Sequence, residues 1–246
     1  MITVITCTYN AEAVLQRTLD SVARQDYVAV QHIIMDGKSA DGTLNIARQY
    51  ADAENTHEVT VVSEPDGGLY DAMNKAIRLT KGKYLVFLNA GDTFYDEHTL
   101  TTVAKSDVNG NCGVIYGNTE IVDADGHSLG MRRLQPPENL TWRSFANGML
   151  VCHQAFYANT EITKTVAYDL RYHLSADVDW CIRVMREAER RGLPIVNTHA
   201  TLCRYLDGGL TVKNHRASLI ERFRIMRKHY GLMTTIYKHL TFLFRQ

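Results

Sequence analysis

The sequence predicts an α/β fold: a single, mostly parallel β-sheet with helices on both faces. Segments typical of strands and of helices alternate over the first 110 residues. The strand segments are apolar almost without interruption, which is typical of parallel strands buried on both faces. Polar residues or glycines follow the strands, and in such sheets ligands bind at the carboxyl ends of the strands. The sequence therefore also predicts where a functional site should lie.

Four strands account for the first half of the sheet, and they are predicted at 2–9, 32–36, 58–64 and 83–88. The first helix follows Asn10, which can cap it, and its apolar residues recur at helical spacing from Val14 to Val22. Two further helices are predicted within 39–52 and 69–82, where Gly82 stands in the position of a C-terminal stop.

The pattern changes after residue 110. A β-ribbon that turns at Asp125-Gly126 precedes a helix that ends at Gly192, a strand within 193–206, and helices from about 213 onwards. No linker separates the two halves, so the second should be built onto the first. In the C-terminal segment, apolar residues at steps of three and four predict one helical stripe that Gly231 breaks into two helices. The stripe consists of Leu219, Phe223, Met226, Tyr230, Met233, Tyr237, Leu240 and Phe244.

The composition is that of a soluble globular protein, with 45% apolar and 22% charged residues. No apolar run is long enough to span a bilayer, and the N-terminus does not read as a signal peptide. Five widely spaced cysteines without a Cys-x-x-Cys pair favour reduced thiols in a cytoplasmic protein over a zinc site. The net charge is zero, but residues 213–246 hold eight basic residues and one acid, so a basic tail follows an acidic body.

Seven segments resemble, in the same order, those of the family 2 inverting glycosyltransferases, which have the GT-A fold with a Rossmann-like sheet. They are VITCTYNAEAVLQRTLDSVARQ, IIMDGKSADGT, EPDGGLYDAMNKAI, GKYLVFLNAGD, CHQAFY, SADVDWCIRV and GGLT, spread over residues 2 to about 212. The subgroup that they most resemble attaches sugars during capsule, exopolysaccharide or O-antigen assembly. The resemblance implies a GT-A domain at 1–212, divided into a nucleotide-binding half (1–110) and an acceptor-binding half (111–212), and a basic amphipathic extension at 213–246.

The resemblance also implies transfer of a sugar from a nucleotide-sugar donor, with a UDP-sugar favoured, to a saccharide or lipid-linked saccharide. A divalent metal, Mn²⁺ or Mg²⁺, can stabilise the departing diphosphate in such a reaction. The family usually presents an Asp-x-Asp-like cluster after the fourth strand. Here Asn89 and Gly91 stand where acids often do, and Asp92 alone keeps the charge, so Asp92 is the predicted metal ligand.

The resemblance assigns donor binding to the strand tips and the loops that follow them. Tyr9 would lie along the nucleoside, and Asp36 would accept a hydrogen bond from the base or ribose. Gly91 would let the backbone approach the sugar phosphate closely. The predicted nucleotide-sugar-binding residues are Thr8, Tyr9, Asn10, Asp36, Asp66, Gly67, Asp71, Asn74, Lys75, Asn89, Ala90 and Gly91.

Some of these residues have an equally simple structural interpretation. Asp71, Asn74 and Lys75 share one helix face, which could flank the nucleotide or could be a solvated face with an Asp71–Lys75 ion pair. Asp36 could instead cap the turn that follows its strand.

The candidate base is Asp177, within SADVDW, which matches the acid of the family's "ED" segment although Ala176 replaces the preceding Glu. A positioned carboxylate that accepts the proton of the acceptor hydroxyl contributes about 10²–10⁴-fold to the rate. Asp179, two residues further along the same helix, is predicted to be structural. The alternative is that both acids only favour the helix dipole as first-turn residues.

The acceptor side is assigned to His153 and Gln154 in CHQAFY. The GGLT segment at 208–211 would be a loop that closes over the diphosphate, or an ordinary turn. Both assignments come from the resemblance.

Two other functional classes stay open. A sugar nucleotidyltransferase also places acids at strand ends, but it needs a phosphate loop rich in Gly and Arg or Lys after the first strand, and TCTYNAEAV has none. A non-catalytic nucleotide-sugar-binding protein would not need Asp177 as a base. A dinucleotide-dependent dehydrogenase is excluded, because no Gly-x-Gly-x-x-Gly follows the first strand.

The C-terminal stripe likewise has two interpretations. It could pack on the catalytic domain or on a second copy of the chain, giving a homo-oligomer. It could instead lie on an anionic membrane surface, where each Lys or Arg contributes about 1 kcal/mol, close to a lipid-linked acceptor. We expect a cytoplasmic protein that contacts the inner face of the membrane peripherally and has no nucleic-acid partner.

Overall fold

The structure, a computed structural model, describes residues 1–53, 56–208 and 214–243. Its strands are β1 Ile2–Thr8, β2 Val30–Asp36, β3 Glu58–Ser63, β4 Tyr84–Phe87, β5 Thr93–Phe94, β6 Val114–Val122, β7 Ser128–Met131, β8 Phe156–Asn159 and β9 Ile195–Leu206. Its helices are α1 Glu12–Ala23, α2 Thr43–Asp52, α3 Leu69–Ile77, α4 Thr99–Ser106, α5 Thr160–Thr163, α6 Ala176–Arg190, α7 His215–Tyr230 and α8 Leu232–Leu243, with 3₁₀ turns at Trp142–Asn147 and His153–Ala155.

The first half of the sheet is parallel and runs in the order β3-β2-β1-β4. The second half is mixed: β8 pairs antiparallel with β4 and with β6, β9 runs parallel to β6, and β5 and β7 pair antiparallel at the periphery. The predicted α/β fold class is confirmed. Because β8 lies between β4 and β6, both halves of the chain belong to one sheet.

Buried aromatic rings fix α6 against this sheet. The Trp180 ring stacks on Tyr168 with ring centroids 4.9 Å apart and meets Phe87 of β4 edge-on at 5.6 Å. The Trp180 indole N–H donates to the Val166 carbonyl oxygen at 2.8 Å, so the ring is buried without an unpaired donor. Since α6 also carries Asp177, this packing places the candidate base near the carboxyl end of β4.

Two local sequence predictions are wrong. Asn10 does not cap α1, because its side-chain oxygen accepts a hydrogen bond from the Ala40 N–H (2.9 Å) and so joins the loops after β1 and β2. Gly82 does not end α3, whose last residue is Ile77. Instead Gly82 packs against β1, where an added Cβ atom would lie 2.6 Å from the backbone nitrogen of Thr3.

The C-terminal segment forms two helices that separate at Gly231, as predicted. Its apolar residues do not form one stripe with one environment: Met226 of α7 is buried, whereas Met233 and Tyr237 of α8 are 81% and 63% exposed. Phe244 lies outside the described residues. Within the parts of the chain that the structure describes, no helix is both long enough and apolar enough to cross a bilayer.

Candidate active site at the carboxyl edge of the sheet

The parallel register places three polar residues in one row at the carboxyl edge. Thr8 of β1 is level with Asp36 of β2, and Asp36 is level with Ser63 of β3. The Ser63 hydroxyl donates to the Asp36 carboxylate at 2.6 Å, and the Ser39 N–H lies 3.2 Å from it. These donors hold the buried Asp36 carboxylate at the edge of the sheet.

Tyr9 and Asp66 converge above this row, on either side of Gly37. A Cβ atom at Gly37 would lie 2.6 Å from the Asp66 carboxylate and 3.4 Å from the Tyr9 ring, so glycine keeps this position open. The Tyr9 ring is 67% exposed. An exposed ring beside a carboxylate offers a stacking face together with acceptors for N–H and hydroxyl groups, which suits a nucleoside.

The next loop is held by its own hydrogen bonds. The Gly68 N–H donates to Asp66 at 2.8 Å, and the Gly67 N–H donates to Asp71 at 3.0 Å. The Gly67 bond, partly offset by burial, lowers the pKa of Asp71, and the Lys75 ammonium 3.4 Å away acts in the same direction. Asp71 and Lys75 therefore form the ion pair that the helix spacing allowed.

Asn74 points elsewhere. Its amide group exchanges two hydrogen bonds with the backbone of Tyr168, at 2.7 and 3.1 Å. This contact ties α3 to the segment before α6. Binding of a nucleotide by Asn74 stays a prediction, and it would require these hydrogen bonds to be replaced.

The turn after β4 has a defined shape. Gly91 has φ +99°, and a Cβ atom there would lie 2.8 Å from the Leu206 side chain. The Thr18 hydroxyl accepts from the Gly91 N–H at 2.9 Å and donates to the Asp92 carbonyl oxygen at 2.7 Å. Glycine is therefore needed here for backbone conformation and for space.

Asp92 sits beneath this turn and is 4% exposed. Its two carboxylate oxygens accept from the Gln154 side-chain N–H at 2.6 Å and from the Leu206 N–H at 3.0 Å. Burial raises the pKa of Asp92 to about 6, although both hydrogen bonds oppose the rise. Asp92 therefore joins the turn after β4 to Gln154 and to β9.

Hydrogen-bonded side chains connect the turn after β4 to Asp177. The Asn89 amide N–H donates to Nε2 of His153 at 3.3 Å, and Nδ1 of His153 lies 3.4 Å from the Asp177 carboxylate. The Tyr70 hydroxyl donates to the other Asp177 oxygen at 3.3 Å. Because Nε2 accepts this hydrogen bond, the ring proton lies on Nδ1, and the Nδ1–H group donates a hydrogen bond to the Asp177 carboxylate. His153 therefore connects the turn after β4 to Asp177, the candidate base.

The charges around Asp177 keep it ionised. Burial, the largest influence, would raise its pKa, but the hydrogen bond from His153, the charge of Arg222 on α7 and the hydrogen bond from the Val178 N–H bring the pKa below its ordinary value. Its side chain keeps 18% exposure, so it can be reached from outside. An accessible, ionised carboxylate is what a general base requires.

Two atoms at this edge have no hydrogen-bond partner among the described residues. They are the side-chain oxygen of Asn89 and the Thr8 hydroxyl, and both are buried. A buried acceptor or hydroxyl without a partner is costly. Both atoms lie at the carboxyl edge, and both residues are among those predicted to bind the nucleotide sugar.

Sequence reasoning missed Tyr70 and Arg222. Tyr70 lies within the quoted segment EPDGGLYDAMNKAI but was not singled out, and its contact with Asp177 spans 107 residues of sequence. Arg222 was assigned to the basic tail. Asp179, predicted to be structural, is fully buried and pairs with Arg183 at 2.6 Å.

One cluster of metal-type ligands lies away from this chain of contacts. Asp123, Asp125 and His127 approach one another within 4.8 Å on the turn between β6 and β7. Asp125 and His127 are exposed, and hydrogen bonds from the amides of Asp125 and His127 to Asp123 account for the geometry of the turn.

The predicted GGLT loop lies partly outside the described residues, which end at 208 and resume at 214.

Comparison with known proteins gives consistent results. The family model described as "Glycosyl transferase family 2" matches residues 3–166. A PGL/p-HBAD biosynthesis glycosyltransferase of Mycobacterium bovis (strain BCG / Pasteur 1173P2) is 33% identical over 189 residues, which cover 74% of this chain and 69% of the relative. The putative teichuronic acid biosynthesis glycosyltransferase TuaG of Bacillus subtilis (strain 168) is 29% identical over 142 residues, covering 58% and 55%.

Solved structures share the fold at low sequence identity. S. aureus TarS 1–349 in complex with UDP-GlcNAc superimposes with a TM-score of 0.72 at 18% identity, covering 92% of this chain; the chain spans 64% of that protein's length. The mannosyltransferase PcManGT from Pyrobaculum calidifontis, in complex with GDP-Man and Mn²⁺, gives a TM-score of 0.65 at 19% identity, covering 97% of this chain and 70% of the other.

The contact between His153 and Asp177 leads to a first prediction. In His153→Ala the pKa of Asp177 should rise, because burial still disfavours the carboxylate while the hydrogen bond from His153 is lost. In the wild type the lowered pKa of Asp177 adds to the free energy of unfolding at pH values above the unfolded-state pKa. This contribution is lost as the pH falls through the folded-state pKa. In His153→Ala the contribution should be smaller or of opposite sign. A carbon-13 NMR titration of the Asp177 carboxyl measures the shift directly. His127→Ala, on the β6–β7 turn, is the control, and an unchanged titration in His153→Ala would contradict the geometry.

Proposed function

The chain belongs to Glycosyl transferase family 2, and we propose that it transfers a sugar, with inversion at the anomeric carbon, from a UDP-sugar to a saccharide or lipid-linked saccharide in the synthesis of a bacterial surface polysaccharide. The observation that carries this proposal is the position of Asp177. One ionised, accessible carboxylate is linked through His153 to Asn89, in the turn after β4 at the carboxyl edge of the sheet. The relatives named for PGL/p-HBAD and teichuronic acid biosynthesis support a role in glycan synthesis.

The strand tips are assigned to the nucleotide. The exposed Tyr9 ring would stack against the base or lie along the ribose, and Asp66 and the backbone near Thr8 would accept hydrogen bonds from it. The TarS complex contains UDP-GlcNAc and the PcManGT complex contains GDP-Man. UDP remains our proposal, and a thermal-shift panel of UDP-, GDP- and dTDP-sugars would rank the nucleotides, because a ligand that binds only the folded state raises its melting temperature.

A divalent metal held mainly by the donor would bind at the turn after β4. This turn offers the Asn89 side-chain oxygen, which has no partner among the described residues, and the carboxylate of Asp92, whose oxygens each accept one hydrogen bond and retain a further lone pair. Mg²⁺ and Mn²⁺ accept such oxygens and complete their shells with phosphate and water. When bound, the metal would neutralise charge on the departing diphosphate.

The chain's own residues supply the proton transfer. Asp177 accepts the proton of the acceptor hydroxyl as that oxygen attacks the anomeric carbon. His153 and Tyr70 hold the two carboxylate oxygens of Asp177 and so orient the remaining lone pairs. A single base and a direct displacement give inversion of configuration, without a covalent sugar–enzyme intermediate.

His153 and Gln154 are proposed to line the acceptor side. Both side chains are nearly buried, and they hydrogen bond to Asn89 and Asp92 of the donor-side turn. They would therefore fix the distance between donor and acceptor.

The family match and the named relatives support a glycosyltransferase over the two classes that the sequence left open, a non-catalytic sugar-nucleotide-binding protein and a nucleotidyltransferase. The first would not need an ionised carboxylate connected to the donor-side turn through a histidine. The second would release diphosphate from a nucleoside triphosphate, an activity that a phosphate-release assay separates from sugar transfer.

The exposed face of α8 is proposed to lie on an anionic membrane surface. Five apolar residues at helical spacing are 43–81% exposed: Leu232, Met233, Ile236, Tyr237 and Leu240. Arg224 and Arg227 on the adjoining α7 are also exposed. An exposed apolar helix face combined with nearby basic residues favours the headgroup region of an anionic bilayer, where a lipid-linked acceptor would be within reach.

The catalytic assignment predicts that Asp177→Asn lowers transfer by about 10²–10⁴-fold while donor affinity changes little, because the strand tips are untouched. Transfer kinetics and calorimetric titration with the nucleotide measure the two effects separately. Asp26→Asn is the matched control, since Asp26 is an exposed carboxylate bonded to His98 and Thr101. Wild-type turnover in Asp177→Asn would show that another group is the base.

The metal assignment predicts that EDTA stops transfer, that Mn²⁺ or Mg²⁺ restores it, and that Asp92→Ala loses Mn²⁺ binding in the presence of UDP. Electron paramagnetic resonance of Mn²⁺ reports binding independently of turnover. The control is Asp123→Ala with Asp125→Ala, which removes the carboxylates of the β6–β7 turn. Loss of Mn²⁺ binding in the control and not in Asp92→Ala would move the metal to that turn.

The membrane assignment predicts that the protein floats with anionic vesicles at low salt and is released at high salt. Met233→Ser with Tyr237→Ser should remain at the bottom of the gradient, because the apolar face of α8 is interrupted. Leu129→Ser with Met131→Ser is the control, since both residues are exposed and apolar but lie on β7. Flotation of both double variants, or a dimer in light scattering that only the α8 variant loses, would instead assign this face to protein–protein contact.

A further inference from the structure

The first turn of α6 holds Asp177, whose own carboxylate accepts from the Val178 N–H at 2.9 Å. Ser175 occupies the N-cap position and makes no side-chain hydrogen bond to the helix. The first backbone N–H groups of a helix, and those of the loop that leads into it, need partners from elsewhere.

Glu221 of α7 supplies partners for the loop that leads into α6. Its carboxylate accepts from three consecutive backbone N–H groups, those of His173 at 2.8 Å, Leu174 at 2.8 Å and Ser175 at 2.9 Å. A carboxylate at the start of a helix is also favoured by the helix dipole. Because charge-assisted hydrogen bonds are short and strong, this contact is a specific anchor for the segment that begins α6.

A second contact anchors the same turn on the other side of Asp177. Asp179 is fully buried and accepts from Lys228 at 2.9 Å and His229 at 2.8 Å, both on α7. Burial would raise the pKa of Asp179, but these partners and Arg183 bring it well below its ordinary value. The side-chain oxygens of Ser175 and Ser218 lie 3.1 Å apart, which adds a third link to α7.

We propose that Glu221 is a positioning residue for the base: it holds the start of α6 so that Asp177 stays in contact with His153 and Tyr70. Helix α7 then belongs to the active site, although the sequence assigned it to a separate extension beginning at 213. This inference rests on the proposed role of Asp177. It also explains why a basic tail contains a single acid, Glu221.

Glu221→Gln tests the proposal with little change in shape. The amide nitrogen of glutamine cannot accept a hydrogen bond, so at least one of the three backbone N–H groups loses its partner. We expect kcat to fall about tenfold or more, as small displacements of catalytic groups cause, while the donor KM stays within about twofold because the strand tips are untouched. The substrate for the assay is whichever UDP-, GDP- or dTDP-sugar the wild-type chain hydrolyses fastest.

Glu189→Gln is the matched control. Glu189 lies at the other end of α6 and accepts from the Trp142 indole and from Arg143, so its loss weakens packing of the same helix without touching the first turn. A lowered melting temperature with unchanged kcat in both variants would overturn the proposal, because Glu221 would then be merely structural. If Glu221→Gln does not fold, Ser218→Ala removes only the link to Ser175, and an unchanged kcat in that variant would also count against a positioning role for α7.

Hydrogen exchange gives a readout that does not depend on turnover. In Glu221→Gln, amide exchange should accelerate at 173–178 and stay unchanged in β1–β4; unchanged exchange at 173–178 would contradict the proposal. Asp177→Asn is measured in parallel. If Asp177→Asn is inactive and Glu221→Gln is fully active, only the positioning role of Glu221 is contradicted. If Asp177→Asn is active, the assignment of Asp177 as the base is contradicted.

Discussion

The parallel register of β1, β2 and β3 is the constraint on which the site depends. It sets Thr8, Asp36 and Ser63 level with one another, so the loops that follow these strands leave the sheet at a single edge. Parallel pairing of β1 with β4 brings the Asn89–Asp92 turn to the same edge. Shifting one strand by a residue would turn its side chains to the opposite face, and the row of polar residues would be lost.

The second half of the chain completes the site because β8 pairs with β4. The 3₁₀ turn before β8 carries His153 and Gln154, which hydrogen bond to Asn89 and Asp92. Through His153 the contacts reach Asp177, and through Glu221 they extend to α7. Hydrogen bonds therefore link Asp177 to the turn after β4, and a second set holds the loop just before Asp177 to α7.

The sequence predicted the features that depend on local pattern. Continuous apolar runs revealed β1 to β4, and the polar residues after them marked the site edge. Contacts made across the fold could not be predicted: Asn10 bonds to Ala40 instead of capping α1, and Gly82 faces β1. For the same reason the sequence did not indicate that Tyr70 and Arg222 act on Asp177, or that Glu221 holds the loop before α6, since each comes from a segment more than 40 residues away. Periodicity identified an apolar stripe in the tail but could not tell which part of it the protein covers.

The central claim is that one carboxylate, Asp177, acts as base in a direct displacement at this edge. The anomeric configuration of the first-formed product tests it most directly, measured by proton NMR during transfer from an α-linked nucleotide sugar. We expect a β-linked product, because a single displacement inverts the attacked carbon. An α-linked product would contradict it, since retention requires a different arrangement of catalytic groups from the one that surrounds Asp177.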